Sequence, residues 1–115
     1  MAHSEPQALR ALLKNHPTVA WPTVLMALGS VSCWVLSIYA GFQGSLSIEV
    51  AAVCAGCCAY WAFTPVHDAT HRSLSKHKLL NEGLGWLASV PLLAAFSAFR
   101  YMHLTHHKYT NDPER

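Results

Sequence analysis

The chain has 115 residues, 52% hydrophobic and 12% charged, about half the charged share of an ordinary soluble domain. Its net charge of +2 with neutral histidines is too small for nucleic-acid binding by bulk electrostatics, and no basic stripe adds to it. The length allows one domain, and the apolar residues gather into long uncharged runs, which assigns that domain to a membrane.

Residues 1–19 form a polar tail, expected to be cytoplasmic, with Arg10 and Lys14 ahead of the first apolar run. Residues 21–42 carry no charged side chain, enough to cross about 30 Å of hydrocarbon at about 1.5 Å per residue. A cleaved signal has a shorter apolar region near the extreme N-terminus, so an uncleaved spanning helix is predicted. Gly41-Phe42-Gln43-Gly44-Ser45 is a turn by composition, and residues 48–66 form a second apolar stretch with Glu49 at its outer end. Arg10 and Lys14 precede this hairpin, and Arg72, Lys76 and Lys78 follow it. The turn carries no basic residue, so both open ends are expected to face the cytoplasm. Cys33, Cys54, Cys57 and Cys58 all lie in these runs. The C-x-x-C of Cys54 and Cys57 sits among alanines and a glycine, and reads as small-residue helix packing rather than a redox motif.

Residues 84–99 are a third apolar stretch, broken by Pro91 and slightly short for a crossing. Basic residues on both flanks predict a re-entrant or interfacial segment that returns to the cytoplasmic side. Trp61, Phe63, Trp86 and Phe96 are aromatic enough to line a chain-binding groove, but near a membrane interface such residues read first as anchors. The fold class is therefore an all-α membrane protein: a two-helix transmembrane hairpin, an interfacial or re-entrant helix, and helices bearing histidines.

Five of the eight histidines fall in two groups, His67-Asp-Ala-Thr-His71 and His103-Leu-Thr-His106-His107. Helical residues four apart differ by about 40° in direction, so His67 and His71 share a face. Offsets of three and four keep His103, His106 and His107 within about 100° of one another. Neutral imidazoles suit iron, zinc, copper or nickel, so the spacing indicates a metal without choosing one. The boxes can share a centre only if the third stretch returns, because a crossing would part them by about 30 Å.

His67-Asp68-Ala69-Thr70-His71-Arg72-Ser73, then Leu80-Asn81-Glu82-Gly83-Leu84-Gly85, then the run from Arg100-Tyr101-Met102-His103 to Lys108-Tyr109-Thr110-Asn111 resembles the first two histidine boxes of the membrane fatty acid desaturase family. The resemblance implies a di-iron centre, O2 as co-substrate and removal of hydrogen from an unactivated C–H bond of a lipid or acyl chain. It also implies an electron donor such as reduced ferredoxin or cytochrome b5. Carried over by position, His67, His71, His103, His106 and His107 would be iron ligands, with Asp68 and Asn111 candidates for support of the ligands. His77 matches no ligand position and groups with Lys76 and Lys78 as a headgroup-facing cluster, while His3 and His16 fall in the tail. The family's third box is missing, so residues 20–115 are expected to be a partial desaturase-type domain whose function is that of a longer parent.

The same iron chemistry serves carotenoid-type hydroxylases, which remain an alternative, as does an inactive membrane remnant. A bis-histidine haem cytochrome would need histidines facing each other within the bilayer, and residues 21–66 have none. A zinc peptidase is a weaker reading still, since H-E-x-x-H is absent.

Overall fold

The computed structural model describes residues 18–110, so the polar tail through Pro17, with His3 and His16, and the end of the chain, with Asn111, lie outside the described residues. Four helices follow in order: α1, Trp21–Phe42; α2, Ile48–Thr70; α3, Lys78–Ser89; and α4, Phe96–Tyr109. Among the described residues there is no strand, only an isolated antiparallel bridge between Val19 and Ser75.

Helix α1 opens on Trp21-Pro22, where proline's fixed φ suits the first turn and its missing N–H costs nothing. Helix α2 is capped by Ser47, whose hydroxyl accepts from Val50 N. Both are long and apolar enough to cross a membrane. Their large side chains point outward, with Leu25 64%, Leu36 62% and Val53 67% exposed. The buried contacts on these two helices are mostly small, including Ala27, Ser30, Ala51, Cys58 and Ala62. That is how helices pack where lipid supplies no hydrophobic drive and close backbone approach does the holding. Of the four cysteines, Cys58 is buried and Cys54 half-buried in this packing, whereas Cys33 and Cys57 are exposed and take no part in it.

The second helix runs further than residues 48–66, through Pro65 to Thr70. Proline there removes the bond that residue 65 would make to the carbonyl of Trp61, a local cost that buried packing of Pro65 and Val66 offsets. What ends α2 is a left-handed residue, Arg72 at φ 56°. Arg72 N bonds Ala69 O and Ser73 N bonds Asp68 O, the pairing that closes a helix through a reversed residue. The chain then doubles back. Ala20 N donates to Leu74 O at 2.8 Å and Lys76 N to Thr18 O at 2.9 Å, so the entrance of α1 and the exit of α2 lie at one end of the molecule.

The third apolar stretch is not one element. Helix α3 stops at Ser89, ahead of Pro91 and of Leu93 at φ 52°, and Phe96 already belongs to α4. Twelve residues rise only about 18 Å, so α3 cannot span a bilayer. Phe96 departs from the expected anchor role, being 1% exposed in a cluster with Val24, Ala27, Val66, Ala69, Leu74, Leu84 and Ala88. Gly85 makes this possible: a Cβ there would lie 2.4 Å from the Phe96 ring.

The Leu80 to Gly85 link thus has a physical reading. Asn81, 2% exposed, accepts from Ser75 N and donates to Ser75 O and His77 O, satisfying a loop that has no helical partners. Asn81→Ala would strand the amide and carbonyl of Ser75, while His77 O keeps the main-chain N of residue 81, and denaturant unfolding in detergent followed by circular dichroism should show a loss of about 1–3 kcal/mol. An unchanged midpoint would mean water replaces the amide.

Candidate metal centre

Box one occupies the last turn of α2 and its cap: His67 lies in the helix and His71 closes it. Box two lies on α4. The return of the chain through α3 brings the two together, and ligand atoms of His67, His71, His103 and His107 all lie within 4.8 Å of one another. His103 is central. Its Nε2 is 2.9 Å from Nε2 of His71 and 2.9 Å from Nε2 of His107.

These distances test the fit to a metal. One imidazole nitrogen carries either one proton or one lone pair, so His103 Nε2 cannot make two good hydrogen bonds at once. Three lone pairs directed at one cation satisfy all three rings. With metal–nitrogen bonds of about 2.0–2.1 Å, neighbouring donors at right angles would stand about 2.9 Å apart. The donor set fits a transition metal.

Electrostatics favour the form that binds. Desolvation first, then the neighbouring imidazoles of His67 and His107, lower the pKa of His71 below its ordinary value, with Asp68 opposing. Desolvation, then His67, His107, His71 and His106, lower that of His103. A lowered histidine pKa means the neutral, ligating ring is present at pH 7. Asp68 stands 3.5 Å from His67 Nδ1 and accepts from Thr23 Oγ1 at 3.3 Å, which ties the start of α1 to box one.

His106 stands apart from the four. On α4, Phe96, Arg100, His103 and His107 are spaced by four, three and four residues, so they leave the axis within about 60° of one another. His106 points about 60° beyond His103, away from that stripe. Its ring is 6.1 Å from that of His107, and it borders an apolar groove of 280 Å³ lined also by Phe63, Phe99, Met102 and His103. Phe99 lies nearly parallel to His103, at 7° and 5.7 Å, and meets Phe63 edge-on. Phe63, still 46% exposed, stacks on His67. Spacing alone did not reveal these aromatic partners, although Phe63 and Phe99 each precede a box histidine by four residues, which puts them on its face. His77 caps α3 and takes no part in the cluster.

The profile of the family described as fatty acid desaturase matches residues 44–115. The chain belongs to the fatty acid desaturase family. Relatives of this desaturase-family chain include the sn-1 oleoyl-lipid 12-desaturase of Synechocystis sp., 32% identical over 95 residues, covering 83% of this chain and 26% of the relative. The sn-1 oleoyl-lipid 12-desaturase of Picosynechococcus sp. is 32% identical over 104 residues, covering 90% and 29% respectively. The chloroplastic omega-6 fatty acid desaturase of Spinacia oleracea is 34% identical over 103 residues, covering 89% and 22%. The chain thus spans about a quarter of the length of these curated relatives. No solved structure gives a significant match.

Proposed function

We propose that these residues form the N-terminal part of an O2-dependent di-iron desaturase that introduces a double bond into the acyl chain of a membrane lipid. The observation that carries this reading is the convergence of box one and box two on a single four-imidazole cluster. His67, His71, His103 and His107 would hold one iron, and His106, turned aside on the same helix, would serve the second with donors from elsewhere in the parent protein. When bound, the iron pair supplies O2 activation and hydrogen removal, with two electrons, two protons and O2 converting a –CH2–CH2– unit to –CH=CH– and two waters.

What this chain contributes is placement. Asp68, beside His67 and bonded by Thr23 at the start of α1, would support the box-one end of the site. Phe63 and Phe99 brace His67 and His103, and with Met102 they form the apolar groove beside His103 and His106, whose chemistry suits a hydrocarbon chain. The relatives named above support an acyl-lipid substrate over a carotenoid. A ferredoxin-type donor is favoured by the sn-1 acyl-lipid omega-3 desaturase (ferredoxin) of Nostoc sp., 43% identical over 54 residues. The boxes and the N-terminus would face the cytoplasm, because Arg72, Lys76 and Lys78 follow α2 while residues 43–47 carry no basic side chain.

The test is to purify the full reading frame in detergent, measure iron by elemental analysis, and express it in a host whose lipids stop at one double bond. A pair of irons per chain and new dienoic acyl chains are expected. Zinc, haem or hydroxylated carotenoid in their place would overturn the reading.

A further inference from the structure

Helix α4 carries half of the histidine cluster yet touches the rest of the fold at few places. Two side chains anchor its first turns on α3. Phe96 is buried against Gly85, and Arg100 Nη1 donates to Glu82 Oε1 in an ion pair whose side chains are 21% and 31% exposed. Both anchors belong to the stripe that ends in His103 and His107.

The two anchors do different things. An apolar ring in a notch fixes how closely α4 approaches α3, but it holds rotation about the helix axis only weakly. A guanidinium–carboxylate pair is directional and, partly shielded from water, resists being broken. Rotation is what matters here, since a turn of about 60° would present His106 in the place of His103. Arg100 lies one turn before His103, so its azimuth is passed to the ligand through a single turn of rigid helix.

We propose that Glu82 and Arg100 are positioning residues for the metal centre: their ion pair sets the rotation of α4 that aims His103 and His107, rather than His106, at box one. Neither residue touches the cluster. This rests on the metal reading above, and the experiment separates the two.

Co2+ is titrated into the metal-free full reading frame purified in detergent, with its d–d absorption reporting ligand number and geometry and circular dichroism reporting helix content. Arg100→Gln and Glu82→Gln, which keep side-chain shape, are each expected to weaken Co2+ affinity by on the order of tenfold and to shift the d–d bands. The exchanged pair, Glu82→Arg with Arg100→Glu, is expected to restore most of that affinity. Gly41→Ala, whose added Cβ would lie 2.8 Å from the Ala51 side chain at the turn end of the hairpin, should lower the melting temperature and leave Co2+ affinity of the folded chain unchanged, which a merely structural role for the ion pair would mimic. If either single variant folds and binds Co2+ with wild-type affinity and spectrum, or the exchanged pair folds without recovery, the inference is overturned. If the wild-type chain binds no Co2+, the metal reading fails and takes the inference with it.

Discussion

His103→Ala is expected to abolish metal binding outright, with the largest effect of any substitution in the chain. Its Nε2 is the shared neighbour of His71 and His107, so its loss removes the donor that joins the boxes as well as one ligand. Outer partners of a metal typically account for about 10–100-fold in affinity, and a central ligand should exceed that range. His106→Ala provides the contrast. It leaves the four-imidazole cluster whole, and elemental analysis of the full protein should find one iron retained and one lost. Equal loss of both irons in the two variants would show that His106 joins the same centre, against the geometry of α4.

Phe96→Ala should cost the most stability, about 3–5 kcal/mol for truncating a buried aromatic. Phe96 occupies the notch at Gly85 and completes the cluster that joins α1, α2, α3 and α4. Gly85→Ala attacks the same contact from the other side. Its Cβ would lie well inside contact distance of the ring, and overpacking of that kind costs about 1–3 kcal/mol. Denaturant unfolding in detergent measures both, and Gly85→Ala should cost little once Phe96 is already alanine. Additive losses would show that the two sites do not share a contact.

Much of this was legible in the sequence because spacing and charge are local signals. The first helix was readable residue for residue from an uncharged run flanked by polar segments. Residues four apart on α2 and α4 do bring His67 beside His71 and His103 beside His107. The third apolar stretch was less legible, because hydropathy cannot see that Pro91 and a left-handed Leu93 divide it between two helices. Nor could composition tell that Phe96 packs inward, since that depends on Gly85 having no side chain eleven residues earlier. The position of His106 was hidden for a related reason. Within one helix three histidines share a broad face, and only the placement of α2 decides which two of them meet it.

The closure between residues 18–20 and 74–76 is made of main-chain amides and carbonyls. The bonds themselves place no demand on the exposed side chain of Thr18, so that position is open to evolutionary drift, whereas Val19 between them packs against the core. Proline is the exception at Ala20 and Lys76, where it would delete the donor and unlatch the hairpin beside the first histidine box. As far as these two bonds are concerned, selection at the donor positions should therefore act against one residue type rather than in favour of any.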